Sequence, residues 1–150
     1  MVTRAFQDAD WSEWLRMSQA LFPNASAEDL ALGMREFRQR SRRDAEVFVV
    51  DRGDGTLAGF LEVGTRPYAD GCDTSPVAYL EAWYVDPEMR RQRWGQALVA
   101  AAEQWARAHG YREMASDTQL DNVVSQAAHR RAGYEEVDRV MQFRKDLSAS

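Results

Sequence analysis

Apolar residues recur at helical spacing in two segments near the start of the chain. The first predicts a helix over residues 8–20, capped by Asp8 or Asp10. Pro23 ends that helix, and Ser26 begins a second helix with two acidic residues in its first turn. The apolar positions of the two helices are Trp11, Trp14, Leu15 and Met17, then Leu30, Met34 and Phe37.

Runs of β-branched and aromatic residues dominate the middle of the chain. They predict strands in EVFVVD, LAGFLEVGTRPY and VAYLEAWYV, with the turn RGDGT joining the first two strands as a hairpin. A helix beginning near Arg93 and ending at Gly110 follows. The remaining segments predict a strand in YREMASD, a helix in NVVSQAAHRRAG and one or two final strands in YEEVDRVMQFRKDL.

This order of elements predicts the fold class. Antiparallel strands come first and a strand–helix–strand crossover comes later, as in an α/β (α+β) fold. We expect one domain over residues 1–150, with a single mixed, mostly antiparallel sheet flanked by helices. A chain of 150 residues has the usual size of one domain.

Composition narrows the possible functions. Cys72 is the single cysteine, so the chain can form neither an internal disulfide nor a cysteine-based metal site. No signal peptide or membrane span is evident, which predicts a cytoplasmic protein. The net charge of −5 disfavours non-specific nucleic-acid binding and suits a small cationic substrate.

A basic turn at the start of a helix is the first candidate for chemistry. The segment VDPEMRRQRWGQAL places Arg90, Arg91, Arg93 and Gly95 where a helix begins. Free N–H groups and the helix dipole both favour an anion at that position. The alternative is an ordinary, solvated basic surface turn.

Several segments resemble the Gcn5-related N-acetyltransferases. The segment RRQRWG, residues 90–95, looks like that family's acetyl-CoA motif, and RAGYEE looks like a frequent strand entry of the family. The segments TSPVAYLEAWYV and ASDTQLDNVVSQAAHRRAGY resemble, more narrowly, the aminoglycoside 6′-N-acetyltransferases. The resemblance implies a Gcn5-related acetyltransferase fold, acetyl-CoA as cosubstrate without a metal, an antibiotic-resistance function and a homodimer.

The resemblance also implies where the coenzyme binds. Arg93 stands where the motif has its first glycine, so the turn lacks the φ freedom of glycine there. The expected contacts with the pantetheine arm are the backbone of Trp83, Tyr84 and Val85, together with Asn122, for which a helix N-cap is the alternative role. The expected diphosphate contacts are Arg91, Gln92, Arg93, Trp94, Gly95 and Gln96.

Glu81 is the candidate catalytic residue. Strict alternation along the strand would place it on one face with Tyr79, Trp83 and Val85. A carboxylate among aromatic side chains is either paired with a cation or functional. The resemblance implies that Glu81 holds the substrate amine and accepts its proton, directly or through water. The alternative is an ion pair with an arginine at the strand surface.

Four further residues match substrate contacts of the resembling proteins. They are Phe22, Tyr68, Asp117 and Asp138. Packing in the core is the alternative for Phe22, and capping of the following segment is the alternative for Asp117. His129 occupies a position where many members of the superfamily carry a tyrosine acid, and we leave the general acid unassigned.

Three functions are consistent with these residues. The first is transfer of acetyl from acetyl-CoA to the 6′-amine of aminoglycosides by direct attack in a ternary complex. The second is acetylation of another small cationic amine, such as a polyamine or an amino sugar. The third is a non-catalytic acetyl-CoA-binding module, against which Glu81 and Asp117 argue because coenzyme binding needs neither.

Overall fold

The computed structural model describes residues 1–148. The chain forms two compact units, Met1–Asp117 and a second unit that begins at Thr118. The two units are described separately below, and the single domain expected from the sequence stays a prediction.

The first unit contains a five-stranded sheet. Its strands are β1 (Val2–Ala5), β2 (Glu46–Asp51), β3 (Leu57–Arg66), β4 (Val77–Val85) and β5 (Met114–Ser116), and they lie in the order β1-β2-β3-β4-β5. The first four strands pair antiparallel, and β5 pairs parallel with β4. The mixed, mostly antiparallel sheet predicted from the sequence is therefore confirmed. The sequence analysis missed β1, which is only four residues long.

Two helices cover one face of this sheet. Helix α1 spans Trp11–Leu21 and α2 spans Ala27–Gln39. Ser26 caps α2 as predicted, since its hydroxyl accepts a hydrogen bond from the Asp29 N–H at 3.1 Å. The buried cluster between the helices and the sheet contains Phe6, Trp14, Met17, Met34, Phe60, Ala82 and Tyr84. The apolar stripes read from the sequence therefore face this core.

A β-bulge interrupts β4 at its centre. Glu62 of β3 lies opposite Ala82, but the next residue of β3, Val63, lies opposite Leu80, so Glu81 is the extra residue. Alternation of side chains is broken at this point. Tyr79 shares the face covered by α1 and α2, whereas Trp83 lies on the opposite face. The prediction that Tyr79, Glu81, Trp83 and Val85 share one face is therefore wrong.

The pairing of β4 with β5 is short. It joins only Ala78–Leu80 to Met114–Ser116. Within residues 1–148, β4 pairs only with β3 from Ala82 onward. The second half of β4 therefore has one edge open to an additional extended chain.

Buried charges fix the point where β4 ends. Asp86 is 4% exposed and accepts hydrogen bonds from Arg16 at 3.0 Å and from Arg52 at 2.8 Å. Arg16 also donates to the Leu57 carbonyl at 3.0 Å, which joins α1 to β3. The two guanidinium groups offset the burial of Asp86 and hold its pKa below the usual range. This network anchors the loop that leads to the third helix, α3 (Trp94–Ala108).

The second unit contains one helix, α4 (Val123–Arg131). Residues 134–148 contain no strand, so the one or two final strands predicted in YEEVDRVMQFRKDL are wrong for this structure. Their alternating apolar residues suggested a half-buried strand, but Val137, Met141 and Phe143 are exposed. Within the described part of this unit there is no other strand with which such a segment could pair.

Candidate active site

An acidic cleft opens beside the bulge of β4. Its volume is about 460 Å³, which lies within the usual range for small-molecule sites. Four carboxylates and one arginine supply its charged groups. The charged and aromatic lining residues are Phe22, Asp29, Glu36, Phe37, Arg40, Glu62 and Glu81. The local excess of negative charge suits a ligand with several positive charges.

Glu81 is paired with an arginine from the neighbouring strand. Its two carboxylate oxygens accept hydrogen bonds from Arg66 at 3.1 and 2.9 Å. The Arg66 guanidinium also lies over the ring of Tyr79, 3.4 Å from its centroid. The ion pair proposed as the alternative role of Glu81 is therefore present, and the carboxylate nevertheless lines the cleft.

Gly64 makes room for the charged groups over the sheet. A Cβ atom on residue 64 would lie 3.0 Å from Nη1 of Arg40 and 3.6 Å from Cγ of Glu81. The first distance is tighter than ordinary van der Waals contact. A glycine at this position therefore lets Arg40 and Glu81 approach the same part of the sheet.

Asp117 lies at the end of β5, where the sequence placed it. Its carboxylate accepts a hydrogen bond from the Tyr79 hydroxyl. Burial, and then Asp117, raise the pKa of Tyr79, so this phenol stays protonated and keeps donating. Asp117 is thus joined to the Arg66–Glu81 pair through Tyr79, and the capping role considered for it is not the one observed.

Both predicted aromatic contacts belong to the first unit. Phe22 follows α1, is 44% exposed and lines the cleft. Its exposure disfavours the alternative of packing in the core. Tyr68 lies two residues after β3, is 79% exposed and is not among the residues that line the cleft. Its contact with substrate stays a prediction.

Two predicted contacts fall in the second unit. Asn122 caps α4, because its side-chain oxygen accepts a hydrogen bond from the Ser125 N–H at 3.0 Å. Asp138 is exposed, and its carboxylate accepts from the Arg139 N–H at 2.8 Å. The capping role considered for Asn122 is thus present, and both ligand contacts stay predictions.

The loop before α3 adopts an unusual backbone conformation. Arg91 and Arg93 have φ values of 63° and 68°, in the left-handed region that favours glycine. Arg93, which stands where the resembling motif has a glycine, therefore adopts a conformation that glycine favours. When residues of positive φ alternate with residues of negative φ, their successive N–H groups point into one concavity. Such a concavity suits a diphosphate.

The loop before α3 also contacts the open part of β4. The indole of Trp83 donates a hydrogen bond to the Gly95 carbonyl at 3.2 Å. Arg90 donates to the Val85 carbonyl at 3.0 Å. These bonds join two predicted coenzyme-binding segments, the end of β4 and the start of α3, so the residues present fit an elongated ligand that carries a diphosphate.

Arg93→Gly tests whether the left-handed conformation is strained. We expect Arg93→Gly to be more stable than Arg93→Ala by about 1 kcal/mol, because only a residue with a Cβ is penalised at positive φ. Both substitutions remove the same charge, so their difference isolates the backbone. Urea denaturation of the two variants measures it. Equal stability of the two variants would show that the backbone at residue 93 can leave the left-handed region at little cost in free energy.

The sequence analysis missed Glu62, Arg66 and the charged residues of α2. A signal existed for Glu62, because it interrupts the apolar run LAGFLEVG as Glu81 interrupts its own strand. No comparable signal existed for Arg66, whose role depends on the pairing of β3 with β4. Of the cleft-lining acids of α2, Asp29 was predicted only as part of an acidic first turn, and Glu36 was not singled out.

Residues 1–148 contain neither a membrane-spanning helix nor a cluster of metal-ligating side chains. No helix in residues 1–148 is long and apolar enough to cross a membrane. No group of three or more histidine, cysteine or acidic residues in the same range is placed to hold a metal ion.

Known proteins resemble this chain over nearly its whole length. The family description "Acetyltransferase (GNAT) family" matches residues 11–134. An aminoglycoside N(6′)-acetyltransferase type 1 from Klebsiella aerogenes is 44% identical over 147 residues, which cover 97% of each chain.

Solved structures agree with this comparison. The aminoglycoside antibiotic 6′-N-acetyltransferase AAC(6′)-IG from Acinetobacter haemolyticus matches with a TM-score of 0.88 and 32% identity, covering 99% of this chain and 100% of its own. AAC(6′)-Iy, in complex with the bisubstrate analogue CoA-S-monomethyl-acetylneamine, matches with a TM-score of 0.86 and 33% identity, covering 97% and 98%. The chain belongs to the GNAT acetyltransferase family and, within it, to the group whose members are named aminoglycoside N(6′)-acetyltransferases.

Proposed function

We propose that this protein transfers the acetyl group of acetyl-CoA to the 6′-amine of aminoglycoside antibiotics and thereby confers resistance to them. The observation that carries this proposal is the acidic cleft, which lies beside the open edge of β4. Relatives with 40–44% identity over most of the chain carry the same activity in their names, which supports it.

The cleft and the coenzyme segments divide the binding between them. The backbone from Trp83 to Val85 receives the pantetheine arm as an added strand, and the loop from Arg91 to Gln96 receives the diphosphate. The carboxylates of the cleft receive the ammonium groups of the drug. Proximity of the thioester to a neutral amine then suffices for direct attack, with no metal and no covalent enzyme intermediate.

Glu81 and Phe22 line the cleft, and we assign them to the drug. When the drug binds, Glu81 accepts a hydrogen bond from the reacting ammonium and gives up part of its pairing with Arg66. Asp117 holds a second ammonium beside Tyr79. Tyr68, Asp138 and Asn122 complete the proposal as contacts carried over from the resemblance. The protein would act in the cytoplasm, with which the single cysteine is consistent.

Acetyl-CoA-dependent thiol release with neomycin and paromomycin tests the proposal. The two drugs differ at the 6′ position, which carries an amine in neomycin and a hydroxyl in paromomycin. We expect turnover of neomycin alone, because only an amine with a free electron pair forms the amide.

Other outcomes of this assay contradict the proposal in different ways. Turnover of both drugs would move the acetylated amine elsewhere on the drug. Turnover of neither, with acetyl-CoA still bound in a calorimeter, would favour a polyamine or an amino sugar as substrate. If those are also inert, the protein is a non-catalytic acetyl-CoA-binding module.

We also propose that the protein is a homodimer. Five apolar side chains near the end of the described chain are 60–89% exposed, which is unusual for a monomer. They are Val137, Val140, Met141, Phe143 and Leu147. Light scattering at micromolar concentration is expected to give twice the chain mass of 17.1 kDa, and the mass of one chain would contradict the proposal.

A further inference from the structure

A second carboxyl lies beside Glu81 in the acidic cleft. Glu62 is the residue of β3 that faces Ala82, immediately before the bulge. Its side chain shares a sheet face with Phe60 and Gly64, and Cγ of Glu81 lies over Gly64. Glu62 and Glu81 both line the cleft. The bulge thus brings two carboxyl groups from neighbouring strands to the same place.

The surroundings of the two carboxyl groups differ. Glu81 accepts two hydrogen bonds from Arg66, whereas no salt bridge among residues 1–148 includes Glu62. Trp14 of α1 lies close to Glu62. Its buried indole N–H is close enough to lower the pKa of Glu62 but makes no hydrogen bond of normal geometry.

The other charged groups of the cleft come from α2, from the residue that follows α2, and from β4. They are Asp29, Glu36, Arg40 and Glu81. Burial is the main cause that raises the pKa of Glu62, from 4.5 to about 7, and the negative charge of Glu81 raises it further. A carboxyl group with these properties exchanges a proton near neutral pH, as a general base must.

We propose that Glu62 is the proton acceptor of the acetyl transfer, acting on the substrate amine directly or through one water molecule. Glu81, paired with Arg66, then has the separate task of holding the ammonium group. This inference rests on the proposed function, since it assigns a role within that reaction.

The three protons of the substrate ammonium group have separate destinations. The bound ammonium group gives one proton to the Glu62 carboxylate and becomes a neutral amine. The nitrogen forms a bond to the thioester carbonyl carbon, and the bond from that carbon to sulfur breaks. A second proton of the nitrogen goes to the departing sulfur, and the third remains on the amide. Glu62 then releases its proton to solvent, which restores the carboxylate.

The pH profiles of Glu62→Gln and wild type with neomycin test this role. In wild type we expect kcat/KM to rise with pH through about 7, because Glu62 must be ionised to accept the proton. Glu62→Gln is expected to lower kcat by about 10²-fold or more and to lose this rising limb. Affinity for acetyl-CoA, measured by calorimetry, is expected to stay within about twofold, because the coenzyme segments do not include residue 62.

Two variants separate catalysis from general effects of charge and packing. Glu36→Gln removes one carboxylate from the α2 side of the same cleft, and we expect a higher KM for the cationic drug with the rising limb retained. Glu62→Asp keeps a carboxylate that is one methylene shorter. We expect the kcat of Glu62→Asp to be at least about tenfold higher than that of Glu62→Gln. We also expect its kcat/KM to rise with pH as in wild type.

The outcomes distinguish this inference from the proposed function. If wild type acetylates neomycin and Glu62→Gln retains its kcat and its rising limb, Glu62 is not the proton acceptor and the proposed function stands. If Glu62→Asp is as slow as Glu62→Gln at every pH, the effect comes from packing. If wild type does not acetylate neomycin, the proposed function fails and this role of Glu62 fails with it.

Discussion

Glu81→Gln is expected to lower kcat for neomycin by about 10²-fold, because the amine is no longer held in place beside the thioester, while acetyl-CoA affinity stays within about twofold. The substitution keeps the shape of the side chain and removes the charge that would hold the reacting ammonium. It also leaves Arg66, the partner of Glu81, as an uncompensated cation, which opposes binding of a polycation. Steady-state thiol release and calorimetry with acetyl-CoA measure the two effects.

The ion pair with Arg66 allows a sharper version of this experiment. If Glu81 served only to neutralise Arg66, the double variant Arg66→Gln/Glu81→Gln would recover most of the lost activity. If Glu81 acts on the substrate, the double variant stays about as slow as Glu81→Gln. Near-normal kcat in Glu81→Gln itself would remove Glu81 from the mechanism.

Glu62→Gln is expected to make the folded protein more stable by about 2 kcal/mol at pH 8 and by almost nothing at pH 4. The folded state binds the Glu62 proton more tightly than the unfolded chain does, because burial disfavours the carboxylate. The contribution of Glu62 to the stability of the wild type therefore falls as pH rises from about 4.5 to about 7, and it is constant above about pH 7. Part of the Glu62 side chain faces the open cleft, where solvent reduces the cost of its negative charge.

Urea denaturation of Glu62→Gln and wild type between pH 4 and pH 8 measures this dependence. The matched control is again Glu36→Gln, which removes a carboxylate exposed at the helix surface and should change stability by less than about 0.5 kcal/mol. A Glu62→Gln variant less stable than wild type at pH 8 would contradict the prediction. Gain of stability together with loss of activity would be the mark of a residue kept for function.

Much of the secondary structure could be read from the sequence. The helices α1 to α4 and the strands β2 to β5 occur where periodicity and turn residues placed them, because each pattern reflects a face that must be buried. The strand β1 was missed because four residues carry too little pattern. The final strands were wrongly expected, because alternation indicates only what a segment would do beside a partner strand.

The candidate site was only partly visible in the sequence. Phe22 and Glu81 do line one cleft, as the resemblance implied. The arginines and Gly95 predicted a diphosphate-binding loop before α3, and this role stays a prediction. The left-handed conformation of Arg93 could not be predicted from a residue type that ordinarily avoids it. Glu62 interrupts an apolar run as Glu81 does, but it was passed over because the resemblance pointed only to Glu81.

Residue types and local spacing were enough to indicate the family, the order of most elements and the cationic character of the substrate. Which charged side chains lie close together depends on the tertiary structure. A one-residue bulge in β4 turns Glu81 toward Arg66 and Glu62, because it reverses the alternation of side chains at that point. The register between β3 and β4 is a long-range property, and it places the two carboxyl groups on which the expected chemistry depends.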